Sequence, residues 1–566
     1  MAKKVVVVGG VAGGASVAAR IRRLDESAEI VILERGHHVS FSNCSLPFYL
    51  SGMVADRGAL IMMDPVKFRN QYNIDARVNS EVTEICRQEK LVRVRDMEKG
   101  TQYEERYDVL VLSPGARPIL PEQIAGIHAP HVFTVRNVED ILALKEYLDQ
   151  NTVADVAVVG GGFIGIEVTE NLRQAGRNVA LVEAADQVMA PFDEDMSQIL
   201  HKELKDNGVE LILGDGVKEI TPEGVVLASG RQVAARAVVM AIGVQPETAL
   251  AKVAGLELGA AGGIKVDHNY RTSDPSIYAV GDAIEVYHRL THKSTRLALA
   301  GPAQMQARRA AGHICGQGSV RNCGVIGSSV VKVFGLNAAS TGLNEKSARA
   351  AGIPCDFVYL IPNDKVSIMP GSNPVHFKLL FETPTGRILG AQAIGKGNVD
   401  KRVDVIAAMI TMGADLEDLR DLELCYAPVF GTAKDVVNFA AMVGLNVLNG
   451  VFRQVPVSAV RGLVETGACI IDVREENEFA AGHLITAHNI PLSQLRERME
   501  EIPRDRPVYL HCRSSQRSYN AIMALQGHGY QNLWNISGSF LGICLYEYFT
   551  DSVTGREKIV TAYNFR

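Results

Sequence analysis

Residues Lys4 to Glu34 read KVVVVGGVAGGASVAARIRRLDESAEIVILE, and the same order returns at Asp155 to Glu183 as DVAVVGGGFIGIEVTENLRQAGRNVALVE. Each stretch runs from β-branched apolar residues through a glycine turn and a helical segment to a second apolar run closed by an acid. That is a βαβ unit of ~30 residues, and its repetition predicts two dinucleotide-binding folds in one chain. Further strand-like runs follow each unit, YDVLVLSPGARP (107–118) and AVVMAIGVQPE (237–247), and then SIYAVGDAIE (276–285). This layout predicts that the first fold is interrupted by the second and resumes near residue 245.

Working outward, 566 residues exceed what one hydrophobic core holds, so three or four domains are expected. Alternating runs from 326 (VVKVFG, HFKLLFE, RILGAQAIG) followed by the helical KRVDVIAAMITMG predict an α+β domain able to carry a subunit interface. The expected division is 1–115 with 245–325, 116–244, 326–445, a weakly patterned linker at 446–457, and a small α/β domain at 458–566. Composition excludes other classes. At 47% apolar, 22% charged and net charge −6 (58 basic against 64 acidic), the chain is neither disordered nor a nucleic-acid binder. With no run of ~20 apolar residues, and MAKKVVVVGG running straight into a strand, neither a membrane span nor a secretory leader is expected. Nine scattered cysteines, an odd number, do not make a disulfide framework and fit a reducing cytoplasm, where a special cysteine is catalytic rather than structural.

The second glycine motif is Gly160-x-Gly162-x-x-Gly165, with the strand and helix that give it meaning. Its glycines let backbone approach a pyrophosphate at a helix start. Glu183 is suited to a ribose diol and repels a 2′-phosphate, so NADH is expected rather than NADPH. The first motif is degenerate, with Val11 at the middle position between Gly9 and Gly14 and Glu34 as its acid. Asp282 in VGD (280–282) is suited to a ribityl chain, which makes FAD the expected occupant. Arg35, Ser113, Gly115, Gly243 and Gly281 complete the candidate cofactor residues. A nicotinamide site beside a flavin site forms a hydride relay that can pass an electron pair to sulfur.

Cys44 lies in HHVSFSNCSLPFYLSG, soon after Glu34, among small polar residues and before Leu46-Pro47, where a helix can begin. A thiol at a helix N-terminus has a depressed pKa and is nucleophilic. No CxxxxC partner exists, so an external thiol must complete its disulfide. The region through Asp435 resembles the CoA-disulfide reductases of the pyridine nucleotide–disulfide oxidoreductase family. The resemblance is carried by VAGGAS (11–16), RIRRLDE (20–26), SFSNCSLPFY (40–49), SPGA (113–116), GGGFIGIE (160–167), VGD (280–282) and CYAPVFGTAKD (425–435). It implies that Cys44 forms a mixed disulfide with coenzyme A, held by Arg20, Arg23, Ser40 and Asn43. It also implies that Tyr426 and Lys434 reach that site from the other subunit of a homodimer. Arg20 and Arg23, three apart, share a helix face. One departure from the family pattern is Ser367-Ile368-Met369-Pro370-Gly371, which lacks the tyrosine often found before this Pro-Gly.

Cys512 begins Cys512-Arg513-Ser514-Ser515-Gln516-Arg517 between an apolar strand and a helix. Such a loop can curl successive amides round an anionic sulfur, with Arg513 and Arg517 adding positive charge. With IIDVREENEFAAGHL (470–484) and HNIPL (488–492), this region resembles a rhodanese sulfurtransferase domain. Ser515 stands where glycine is frequent and is expected to strain a left-handed turn. A phosphatase reading of the Cys/Arg loop competes, and the six-residue spacing favours sulfur.

The expected architecture is therefore α/β: two Rossmann-like domains, an α+β dimerisation domain and a C-terminal rhodanese-like α/β domain. The expected activity is an NADH- and FAD-dependent reductase of CoA persulfide or polysulfide. In it Cys44 attacks sulfane sulfur, sulfide leaves, and Cys512 relays sulfur. Alternatives are a CoA-disulfide reductase with accessory sulfurtransferase, an NADH oxidase or peroxidase cycling Cys44 through sulfenic acid, and a non-catalytic terminal module that binds a sulfur carrier.

Overall fold

The first glycine stretch folds because Val5, Val6 and Val7 are wholly buried and their strand is covered on both faces, as parallel sheets require. A computed structural model describes residues 2–318 and 322–565 of the chain. It divides into two compact units, one of residues 1–184 with 214–325, the other of residues 185–213 with 326–566.

In the first unit, Lys4–Val8 is the middle strand of a parallel sheet ordered Ile277–Ala279, Val109–Leu112, Lys4–Val8, Glu29–Leu33, Asp75–Arg77. Lys4 lies opposite Glu29 and Val5 opposite Val109. Helix Ala12–Leu24 packs along helix Ala300–Ile314 above this sheet. The second glycine stretch repeats the plan. Asp155–Val159 pairs in parallel with Asn178–Val182 and Ala237–Met240, and the last of these pairs with Val132–Phe133. The chain passes between the two folds on a two-stranded antiparallel ribbon, Ala116–Pro118 against Val244–Pro246.

The second unit holds a five-stranded antiparallel sheet, ordered Ser328–Val333, Leu336–Gly342, Ile388–Gly395, Val375–Glu382, Cys355–Leu360, with helix Val399–Met412 against it. It also holds a parallel sheet ordered Arg453–Val455, Leu533–Ile536, Val508–His511, Cys469–Asp472, Ala487–Asn489.

Two expectations about boundaries need correction. The stretch 446–457 is no loose linker: helix Val436–Leu448 runs into it and Arg453–Val455 is an edge strand of the parallel sheet. Within the expected span 116–244, strand Glu210–Ile212 does lie at the edge of the second nucleotide sheet, but helix Glu194–Asp206 groups with the other unit. The reason is a buried ion network. Lys378 Nζ meets Asp193 at 3.2 Å, Asp195 at 2.9 Å and Glu345 at 2.6 Å, and the lysine side chain is 2% exposed. Removing one partner of such a cluster typically costs ~3–5 kcal/mol. Helix Glu194–Asp206 also packs against helix Ser539–Thr554, where Tyr546 Oη donates to Glu194 at 2.8 Å. Gln454 Nε2 donates to the Phe357 carbonyl at 2.6 Å, and a Cβ on Gly538 would lie 2.6 Å from the Tyr359 ring.

Candidate functional site

The two glycine turns are built alike. Gly9 has φ +91°, and a Cβ on it would lie 2.1 Å from the Ser113 carbonyl oxygen; one on Gly14 would lie 1.9 Å from the Gly9 oxygen. Gly165 repeats this, 1.8 Å from the Gly160 oxygen, whereas a Cβ on Gly162 would meet nothing within 4 Å. Close packing at the outer positions and open space at the middle one leave helix-start amides free for a pyrophosphate. The strand-end acids are held in place. Glu34 accepts from the Gly10 amide at 2.8 Å and the Gly36 amide at 2.9 Å, and Glu183 accepts from the Gly161 amide at 2.7 Å.

Gly115 (φ +71°) and Gly243 (φ +119°) flank the crossing ribbon. Beside it lies a cavity of about 460 Å³ whose walls include Ala116, Val244, Asp282 and Arg296. Asp282 sits on the turn Gly281–Ala283, and burial pushes its carboxyl up. The Gly281 amide donates to Gln306 at 2.7 Å. The glycine cradle at Gly9–Gly14 and the cavity bearing Asp282 fit a flavin dinucleotide, and the second cradle with Glu183 fits NADH. Arg35, exposed, lies 3.9 Å from Glu247.

Cys44 stands on a single 3₁₀ turn, Asn43–Ser45, followed by the five-residue helix Leu46–Leu50. The expectation of a depressed thiol does not hold. Partial desolvation pushes the Cys44 thiol up, and the carboxylates of Glu167 and Asp282 add to the effect. A helix this short contributes little dipole against two nearby negative charges. Glu167 was not singled out in the sequence. It lies two residues past Gly165 on helix Phe163–Gln174, which packs against Leu46–Leu50. Burial first, then Glu170, pushes its carboxyl up to about 7. The sign in the sequence is an acid in the first turns of a helix just past the second glycine motif.

Around Cys44, Ser40 takes φ +53°, and its amide donates to Gly10 at 2.9 Å. Asn43 Nδ2 donates to the Arg136 carbonyl at 3.3 Å. On helix Ala12–Leu24 the two candidate phosphate ligands differ. Arg23 is exposed, with its guanidinium 5.5 Å from the Tyr72 ring centre, while Arg20 is half-buried and its Nε has no hydrogen-bond partner among the described residues. Arg22 between them is structural, donating to the carbonyls of Tyr72, Asn73, Asp25 and Glu26. In the second unit, Tyr426 (51% exposed) neighbours Val429 and Phe430 (56% and 70%), an apolar surface loop, and Lys434 Nζ lies 5.7 Å from the Phe439 ring centre.

Strand Val508–His511 delivers Cys512, which is 1% exposed, to a loop opening helix Gln516–Gly527. Ser518 Oγ donates to Sγ at 3.8 Å and Ser539 Oγ at 4.0 Å, and the Cys512 amide donates to Ser539 Oγ at 3.2 Å. Ser515 adopts φ +76°, as the loop reading expected, and its hydroxyl is tied to Ser539 at 3.1 Å. The two loop arginines are not held alike. Arg517 makes a bidentate pair with Glu478, at 2.6 and 2.7 Å, so its positive charge is shared with a carboxylate missed in the sequence. Beneath the loop, Arg474 pairs with Asp472 at 2.6 Å and stacks 3.9 Å from the Phe540 ring centre.

Two cradles for dinucleotides, one lone thiol beside the first, and a sulfur loop on a separate parallel sheet define a flavin-dependent oxidoreductase joined to a sulfurtransferase-like domain. Comparison with known proteins agrees. The model for pyridine nucleotide-disulphide oxidoreductases matches residues 3–307, that for their dimerisation domain 328–435, and that for the rhodanese-like domain 457–545. The chain belongs to the pyridine nucleotide–disulfide oxidoreductase family and uses FAD and NADH. A coenzyme A disulfide reductase of Staphylococcus epidermidis is 30% identical over 435 residues, 77% of this chain and 98% of that protein. The reduced Bacillus anthracis CoADR-RHD structure has TM-score 0.94 and 44% identity, covering 98% of this chain and 99% of that one. A NAD-dependent persulfide reductase from A. fulgidus has TM-score 0.90 and 34% identity, covering 95% and 99%. Among the described residues no helix is long and apolar enough to cross a membrane.

Proposed function

We propose that the chain reduces the sulfane sulfur of CoA persulfide, or of a related persulfide or polysulfide, with NADH, releasing sulfide. The observation that carries this is the pairing in one chain of a lone surface cysteine, Cys44, with a sulfur-cradling one, Cys512; neither is in a disulfide. Similarity to a persulfide reductase over nearly the whole chain, rhodanese-like domain included, supports the same reading.

In this scheme Arg20, Arg23, Ser40 and Asn43 hold CoA beside Cys44, and in a homodimer Tyr426 and Lys434 are supplied by the other copy. Bound FAD and NADH supply the electron pair. Cys44 thiolate attacks the outer sulfur of the persulfide; the S–S bond breaks, CoA leaves as its thiolate, and Cys44 carries the sulfur as a persulfide. On receiving two electrons and two protons, Cys44 returns to the thiol and hydrogen sulfide leaves. Cys512 takes sulfane sulfur from a donor on its own thiolate and passes it on toward Cys44. The domain spans behind this scheme are those expected from sequence, with edge strand Arg453–Val455 joined to the terminal domain.

The relatives named as coenzyme A disulfide reductases favour a second reading, in which the reduced substrate is CoA disulfide. Turnover of NADH on CoA persulfide against CoA disulfide separates the two. Persulfide turnover that survives Cys44→Ser overturns both.

A further inference from the structure

At the end of the rhodanese-like sheet opposite Cys512, where its parallel strands begin, lies a pocket of about 510 Å³. Arg453, Arg504, Asp505, Arg506, Tyr530 and Trp534 form its walls, three guanidiniums against one carboxylate. Several other arginines of this domain are paired: Arg461 with Glu547, Arg474 with Asp472, Arg517 with Glu478, Arg556 with Asp551. By contrast, none of Arg453, Arg504 and Arg506 has a carboxylate within 4.0 Å among the described residues.

Two of the three lie over aromatic rings. The Arg504 guanidinium lies 3.8 Å from the Tyr530 ring centre, and that of Arg453 lies 5.5 Å from the Trp534 ring centre. Arg504 spends one N–H on the His528 carbonyl at 3.3 Å, and Arg506 lies near the Cys469 thiol. Stacking holds a guanidinium in place while leaving its in-plane N–H groups available, which is the geometry that recognises phosphate oxygens. Three guanidinium forks offer enough paired N–H donors for two phosphate groups, and the volume is in the range of small organic ligands (~300–1,000 Å³).

We propose that this pocket binds an organic diphosphate of the nucleoside-diphosphate class. The bound group would be either a free nucleotide or the diphosphate end of a coenzyme. The site is separate from the cofactor cradles and from Cys512.

Trp534 is the chain's single tryptophan, so its emission reports on this pocket alone. The test is a fluorescence titration of the FAD-loaded full chain with ADP, CoA, inorganic pyrophosphate and orthophosphate at fixed ionic strength. ADP or CoA is expected to give a saturable change, weaker for pyrophosphate and weakest for orthophosphate. Tighter ADP binding assigns a free nucleotide, and tighter CoA binding assigns a coenzyme; either supports the site. Arg453→Gln/Arg504→Gln is expected to weaken binding about tenfold or more, with flavin absorbance and thiosulfate sulfurtransferase turnover showing that the fold is intact. Should that variant not fold, Arg504→Gln alone carries the same expectation with a smaller loss. The proposal falls if ADP and CoA give no saturable change, if pyrophosphate binds as tightly as they do, if sulfate at matched ionic strength reproduces the response, or if the folded variant binds undiminished.

Discussion

The two cysteines assigned to sulfur chemistry occupy opposite surroundings. Cys44 is exposed, on a single turn before a short helix, and faces the field of two carboxylates. Cys512 is buried at the end of a core strand, with serine hydroxyls at its sulfur and arginines nearby. A thiol that must meet a substrate needs access, and its reactivity is then tuned by what else is in the site. A thiol that must keep a sulfur atom needs enclosure and amides. The difference separates exchange from storage.

Removing each sulfur breaks the contrast most strongly. Cys44→Ser is expected to lower NADH-dependent persulfide turnover on the order of 10³-fold or more while sparing thiosulfate sulfurtransferase activity, and Cys512→Ser to do the reverse. Paired assays on both variants check this; loss of both activities in either variant would show that the sites work as one. A smaller effect is expected at Glu478→Gln, which removes the carboxylate that holds the Arg517 fork. Sulfurtransferase turnover should fall about tenfold, with flavin reduction by NADH unchanged in stopped flow.

The next prediction sharpens the electrostatic side. Glu167, with its carboxyl pushed up to about 7, becomes negative as pH rises through that value, and its charge then disfavours the Cys44 thiolate. Glu167→Gln removes that charge, so alkylation of Cys44 above pH 7 should be faster and its pH profile should lose an inflection near neutrality. Identical profiles for the two proteins would dismiss the coupling. Smallest of all is Ser515→Gly. It relieves a left-handed residue but gives up hydroxyl contacts to Ser539 and Ile536, so stability should change by no more than ~1 kcal/mol, read by denaturant unfolding.

Much of this was legible because it depends on local rules. The glycine turns need residues without a Cβ, so Gly9, Gly14, Gly160 and Gly165 announce themselves, and the acids at 34 and 183 follow from strand length. Ser515 could be flagged because left-handed backbone penalises side chains. What stayed hidden depends on partners distant in sequence. Lys378 pairs with Asp193 and Asp195 from far along the chain, and no local pattern reveals that partner. Glu478, 39 positions from Arg517, takes up a guanidinium that the loop motif alone assigns to sulfur. The thiol at 44 misled for the same reason: a following helix is visible in sequence, while carboxylates at 167 and 282 are not.

Helix Ser539–Thr554 touches the Cys512 loop at one end, where the Phe540 amide donates to the Cys512 carbonyl at 3.0 Å, and helix Glu194–Asp206 along its length. With Gln454 hydrogen-bonded to Phe357 and Gly538 pressed on Tyr359, the storage domain is moored to its neighbours rather than hung on a tether. A harbour so fixed does no carrying of its own. In the proposed scheme its freight has to arrive and depart on vessels small enough to reach a buried thiol.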